Sequence, residues 1–197
     1  MLPTHEQILA LHKKYAPTEA AFQSVYTHCQ IIAEIAAELL QKKPQVIDAG
    51  LVEAGCLLHD IGVYKLYLPD GTKDRSAYIS HGVLGYDILK TEGIDERICK
   101  IASHHTGVGL TKEDIIKSGL HLPHEDFLAE TLEEELIMYA DKFHSKKDSP
   151  QFNSFESYRK TVKEFGDEKE EQFIAMADKF GLPDLNVLSQ KWQQPIK

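Results

Sequence analysis

The chain has 197 residues, a length that suits one domain or one domain with an extension, and that buries about 70% of its unfolded surface. Its net charge of -9, from 22 Lys and Arg against 31 Asp and Glu, argues against a general nucleic-acid-binding face, because phosphate backbones need clustered cations. No apolar run approaches the roughly 18 to 20 residues of a membrane span. The N-terminus lacks the basic and apolar blocks of a signal peptide. The cysteines Cys29, Cys56 and Cys99 are odd in number, far apart and inside apolar patterns, so they read as reduced core thiols of a cytoplasmic protein.

Thr4, with Gln7 in the capping-box position, opens a short helix to Ala16. His5 and His12 lie on its mixed surface and read as solvated. Thr18 caps a long amphipathic helix to Lys43, in which Ala21, Val25, Ile32, Ile35 and Leu39 recur at helical spacing and His28 falls on the same stripe. Pro44 stops it. A helix from about Val46 to His59 follows a short turn, so the two should pack antiparallel and bring His28 towards His59. Its run Leu51–Leu58 is too apolar to face water, so it delivers His59 and Asp60 to the inner end of a buried helix. Buried ionisable groups need partners, and imidazole with carboxylate suits a divalent cation.

From Gly62 to Ser80 the periodicity fails around the turn Pro69-Asp70-Gly71, in a loop that carries Lys65, Lys73, Asp74 and Arg75. His81 starts a helix that ends at Glu92-Gly93. Asp95 or Glu96 opens the next, which closes on His104-His105. Thr111 with Asp114 caps a short helix to Ser118, and His121 and His124 lie in a solvated loop. A helix from Thr131 to about Lys147 turns Asp141 inward, with His144 one turn further, at the site or its mouth. Phe152, Phe155, Tyr158, Val162 and Phe165, then Phe173, Ile174, Ala177 and Phe180, read as two more amphipathic helices. Their aromatics pack against the bundle or against a partner subunit, which leaves a homodimer open. Pro183-Asp184 starts a last short segment containing Trp192. The expected fold class is all-α, a helical bundle over residues 1–150 with a helical extension over 151–197 packed on it.

The ordered set His28, His59-Asp60 and Asp141, each in or at the end of an apolar helix, resembles the HD-domain superfamily of metal-dependent phosphohydrolases. The match runs from about Tyr26 to Lys147, and His59-Asp60-Ile61-Gly62 spells the letters after which one branch is named. The segment Leu128 to Phe143 also looks like a small group of uncharacterised single-domain members. His81 and the doublet His104-His105 resemble the branch that holds two metals.

That resemblance implies one metal held by His28, His59, Asp60 and Asp141, with Asp60 bridging to a second held by His81 and the doublet. His105 fits best there, with His104 contributing or supporting. Nitrogen-rich, thiolate-free ligation suits iron, manganese, cobalt or zinc better than magnesium or calcium. The implied activity is hydrolysis of a phosphoester in a small molecule, plausibly a nucleotide or dinucleotide. Asp60 and Lys65 would carry the chemistry, and Lys65, Arg75 and His144 would meet the substrate. The sequence departs from the pattern in two places. Val63 stands where many members have lysine, with Lys65 two places later. Thr106-Gly107-Val108-Gly109 replaces the acidic and Gly-Tyr-Pro residues of the cyclic-dinucleotide phosphodiesterase branch, which argues against that substrate. Two other readings use the same ligands: a di-iron oxygenase, and a non-catalytic binding protein with a metal as structural staple.

Overall fold

Helix starts follow the caps that the sequence supplies. The computed structural model describes residues 1–43, 46–147 and 149–197. Its helices are α1 (His5–Tyr15), α2 (Glu19–Lys42), α3 (Ala49–Leu58), α4 (His81–Thr91), α5 (Glu96–His104), α6 (Lys112–Lys117), α7 (Leu132–Asp141), α8 (Phe155–Lys163), α9 (Asp167–Phe180) and α10 (Leu185–Trp192). Thr4, Thr18, Asp48, Asp95, Thr111, Thr131, Ser154 and Asp184 each accept a backbone N–H from the first turn of the helix that follows. Each cap satisfies a donor that the helix itself leaves unpaired. The architecture is all-α, as the periodicity predicts. The stop expected at Pro44 lies outside the described residues.

Helix α2 packs along α3, α4 along α5, and α7 against α2, α3 and α5. Ile31, Ile32, Ile35, Leu58, Ile137 and Tyr139 are fully buried where they meet. After α3 the chain makes a 3-10 turn, Ile61–Leu66, that lies directly on α4. Gly62 is what permits the approach, since a Cβ there would overlap the His81 carbonyl and the Gly85 backbone. The aromatics of the C-terminal helices face the bundle. Phe173 lies 5.2 Å from Phe155 and 5.5 Å from Tyr139, ring centre to ring centre. Phe165, expected on the same stripe, is instead exposed beyond the end of α8.

Helix α7 ends at Asp141 rather than near Lys147. The amides of Lys142 and Phe143 tighten onto Tyr139 and Ala140, and the chain passes into β1 (His144–Ser145). β1 pairs antiparallel with β2 (Gln151–Phe152), with His144 opposite Phe152. The last residues close onto β2: Phe152 donates to the Pro195 carbonyl, and Lys197 donates to the Phe152 carbonyl. Strands of two residues offer no alternation to read in advance.

His12 is not solvated. It is fully buried, with Nε2 2.7 Å from the Leu57 carbonyl and Nδ1 2.8 Å from the Tyr64 hydroxyl. It pins α1 to the segment that leads into His59. His5, by contrast, is exposed beside Glu53. Burial lowers the His12 pKa from 6.5 to about 4, with the Leu57 carbonyl opposing. The unfolded chain therefore takes up this proton at higher pH than the folded one. The contribution is complete above the unfolded value and is lost as pH falls from there towards the folded value. The stability advantage of wild type over His12→Gln should shrink by about 2 kcal/mol between about pH 8 and about pH 5. Urea unfolding of both proteins at the two pH values measures it, and an advantage that stays constant would contradict it.

Candidate metal centre

Five helical elements aim polar side chains at one buried carboxylate. α2 carries His28, the end of α3 carries His59 and Asp60, α4 begins with His81, α5 runs into His105, and α7 closes on Asp141. His59 and Asp60 are fully buried, and His28, His81 and His105 nearly so. The two oxygens of Asp60 face different sets of imidazoles. Oδ2 lies 3.1 Å from His28 Nε2 and 3.4 Å from His59 Nε2, whereas Oδ1 lies 3.4 Å from His81 Nε2 and 3.7 Å from His105 Nε2. Asp141 Oδ1 completes the first group, 3.0 Å from His28 Nε2 and 3.5 Å from His59 Nε2. Ligand atoms of the set His28, His59, Asp60 and Asp141 all lie within 4.8 Å of one another, as do those of Asp60, His81 and His105. Such separations are edges of a coordination polyhedron: ligands about 2.1 Å from an ion lie roughly 3.0 to 3.5 Å apart.

Hydrogen bonding fixes the outer nitrogens of three of these rings. His59, His81 and His105 each place Nδ1 against the carbonyl three residues earlier, on Cys56, Tyr78 and Ala102, at 2.7, 2.6 and 2.8 Å. A carbonyl only accepts, so Nδ1 carries a proton and Nε2 is the nitrogen that faces the cluster. Neither Asp60 oxygen has a hydrogen bond of good geometry, although both are buried. Converging nitrogens and carboxylates need cations to offset them, and beside the ammonium groups of Lys142 and Lys146 the donor set itself is of the kind that ligates a metal. The residues therefore fit a divalent metal, and the arrangement can hold one on each side of Asp60.

The titrations agree in direction. Burial pushes the Asp60 carboxyl up, but Lys146 and His59 more than offset it and hold it well below the usual carboxylate range. Asp141 behaves likewise, with Lys142 as its main opposing charge. Burial lowers His81 to about 3, with His105 adding to the effect, and burial also lowers His105, so both rings are neutral at pH 7. Burial lowers His59 too, but Asp60 and further partners raise it well above 6.5. That proton is the one that metal binding would displace.

Other expected site residues are distributed differently. His104 turns away from the cluster, with Nδ1 3.0 Å from Glu134 Oε2 and its ring against Phe127, so it sits with α7 rather than with Asp60. Lys65 is exposed, its ammonium 5.6 Å from the Tyr15 ring centre and turned towards α1, because the 3-10 turn after Asp60 points that residue outward. Arg75 and His144 line a cavity of about 510 Å³ that opens beside His28 and Asp141. Two lysines that sequence reasoning missed take the places nearest the carboxylates. Lys146 contacts Asp60 Oδ2 and lies 5.7 Å from the Tyr78 ring centre. Lys142 donates to Asp141 Oδ2 at 2.8 Å and to the His105 carbonyl at 3.0 Å, which ties the two halves of the cluster together. A lysine directly after an inward-facing aspartate was the available signal for Lys142. Lys146 had none, because its position depends on α7 ending early.

An all-helical bundle that gathers a histidine, a His-Asp doublet and a distant aspartate belongs to a known class. Residues 25–146 match the HD domain, and the chain is a member of the HD domain family. It is 40% identical over 122 residues to an uncharacterized protein of Methanocaldococcus jannaschii, covering 60% of this chain and 65% of that one. It is also 34% and 33% identical to tRNA (cytidine(56)-2'-O)-methyltransferases of Picrophilus torridus and Thermoplasma volcanium, over 73% and 72% of this chain. It spans only 37% and 36% of those two, so it covers less than two thirds of each of these relatives. Among solved structures it is similar to the HD domain of the L. monocytogenes phosphodiesterase PgpH, with a TM-score of 0.55, 18% identity and coverage of 96% of this chain and 100% of that one. The same domain in complex with cyclic-di-AMP gives 0.54 and 18%, over 96% and 99%.

In protein freed of metal, Lys142→Met removes a charged partner of the half-buried Asp141 carboxylate and should destabilise by about 2 kcal/mol. Denaturant unfolding of the chelator-treated protein measures this. A loss within the error of the wild-type value would mean that Lys142 leaves Asp141 indifferent.

Proposed function

We propose that this protein is a metal-dependent phosphohydrolase that cleaves a phosphoester in a small, nucleotide-like molecule bearing more than one anionic group. The observation that carries the reading is the division of Asp60, one oxygen towards His28 and His59 and the other towards His81 and His105. A carboxylate shared in that way is the bridge that a pair of divalent ions needs, and it supports two ions per chain. Iron, manganese, cobalt or zinc suits the nitrogen-rich ligand set. Ions bound there would lower the pKa of a water and stabilise charge on the attacking and leaving oxygens at phosphorus.

The cavity supports the substrate class. Its volume of about 510 Å³ falls within the roughly 300 to 1,000 Å³ of small-molecule pockets. Among the described residues its wall carries the side chains of Lys73, Arg75, Lys142, Lys146, Lys147 and Lys197 against one acidic side chain, Asp141. In a chain of net charge -9 that is a strong local inversion. Cations so placed bind phosphate and offset the charge that develops in its transfer. Tyr78 and Tyr158 line the same wall. Lys146 takes the role first expected of Lys65. With ions on both sides of Asp60, its ammonium is free to meet a substrate phosphate. The methyltransferase relatives contribute no activity here, since the chain spans little more than a third of them.

Elemental analysis of protein purified without chelator, followed by a phosphoester panel on the same samples, tests the proposal. Wild type should hold about two transition-metal ions per chain and hydrolyse part of the panel. Asp60→Ala should lose both properties. Lys146→Ala should keep its metal while kcat/KM falls by about tenfold or more, roughly 1.4 kcal/mol of transition-state stabilisation. Hydrolysis that survives in Asp60→Ala would sink the proposal. Consumption of oxygen with ferrous iron and no hydrolysis would favour the oxygenase reading instead.

A further inference from the structure

Four imidazoles face the carboxylates of the cluster, and three of them have Nδ1 fixed by a backbone carbonyl. His28 is the exception. It lies in the middle of α2, and its Nδ1 is 2.7 Å from Nδ1 of His144 on β1. The two rings are stacked with centres 5.0 Å apart. On its far side, His144 Nε2 is 2.6 Å from Oε1 of Gln194.

We infer that Gln194, acting through His144, sets the tautomer of His28 and thereby completes the metal set on that side of Asp60. The inference rests on the metal-centre reading above. An amide oxygen only accepts, so His144 must carry its proton on Nε2 and present a lone pair at Nδ1. That lone pair can only be met by a proton on His28 Nδ1. In the neutral ring His28 Nε2 is then the nitrogen open to a metal, at 3.0 Å from Asp141 Oδ1, 3.1 Å from Asp60 Oδ2 and 3.3 Å from His59 Nε2. Turning the amide over reverses every donor in the chain. His28 would then carry its proton on Nε2 and donate it to Asp141, and the ligand would be lost. Gln194 and His144 are thus positioning residues for a ligand they do not replace.

The C-terminal segment holds Gln194 in place. Gln193 adopts a left-handed conformation at the end of α10, with φ of 52°, and turns the chain back. Gln194 N donates to the Ser189 carbonyl, and Ser189 Oγ donates to the Gln194 carbonyl. Pro195 and Lys197 then bond Phe152 of β2, which pairs with the strand that carries His144.

Two substitutions separate acceptance from packing. Gln194→Glu keeps an oxygen acceptor and cannot be reversed, whereas Gln194→Met keeps the length and removes the acceptor. Titration calorimetry of the metal-free proteins with Mn2+ should show Gln194→Glu within about threefold of wild type. Gln194→Met should weaken one of the two ions by about 10- to 100-fold, the range for loss of an outer partner of a metal-ligating histidine, and leave the other unchanged. Long-range 1H–15N correlation of the metal-free histidines should find the His28 proton on Nδ1 in wild type and Gln194→Glu, and displaced from it in Gln194→Met. Mn2+ binding by Gln194→Met equal to wild type would overturn the inference alone. A loss in Gln194→Glu as large as in Gln194→Met would overturn it as well, since packing would then explain both. Wild type that binds no Mn2+, Co2+ or Fe2+ would overturn the metal-centre reading, and this inference with it.

Discussion

A carboxylate buried with both oxygens among imidazoles rather than water has to be neutralised before this chain can fold around it. Asp60 is fully buried, and the cost of an unpaired charge in such a place is several kcal/mol. The bundle answers with neighbours from every side: His28 from α2, His59 beside it, His81 from α4, His105 after α5 and Lys146 after β1. Much of the rest follows from bringing them close. Gly62 lacks a side chain because the turn that carries Asp60 must touch α4 for His81 to reach it. His12 is buried because α1 must cover the carbonyl of Leu57 at the entrance to the same turn.

The site shows which parts of such a structure a sequence can disclose. His28, His59, Asp60, His81, His105 and Asp141 were legible because each begins, ends or interrupts an apolar helical run, and because their order along the chain matches a familiar set. Resemblance favoured His105 over His104 but left a place for both. The choice is made by the end of α5, which sends the first ring to Glu134 and the second to Asp60. His12 looked solvated because α1 is short and mixed in character, and its burial is decided by Leu57 and Tyr64, more than forty positions away. Lys146 and Gln194 were hidden for a related reason. Both depend on α7 stopping at Asp141 and on strands of two residues, and neither the stop nor the strands leave a periodicity.

The same early stop rearranges the charge of the molecule. Had α7 continued to Lys147, Lys146 would lie a turn and a half beyond Asp141 on a different face from it. Passing instead into β1, the chain doubles back, and Lys146 arrives at Asp60 while Lys142 remains on Asp141. Each carboxylate of the centre thus has its own ammonium. This arrangement balances the metal-free site without a disulfide or a rearranged core. It also means that any ion arriving at Asp60 exchanges one cation for another instead of creating a new charge. On the proposed reading, the ammonium so displaced would stay in the cationic wall of the cavity, which Lys146 already lines.

The C-terminal residues belong to this logic rather than to the packing alone. A helix interior offers His28 no spare carbonyl, because the main-chain acceptors of α2 are already engaged in its own ladder. A metal ligand placed there needs its outer nitrogen fixed by something from another element, and in this fold the element is β1. A second imidazole is a poor fixing group by itself, since either of its nitrogens can hold the proton. The ambiguity is removed only when a group that cannot donate closes the far end. That group is supplied by a segment whose own position depends on pairing with β2 and on the left-handed turn at Gln193. On this inference, ligation at the core of the bundle would be tied to the ordering of the segment around Gln194, through the contact of its side chain with His144.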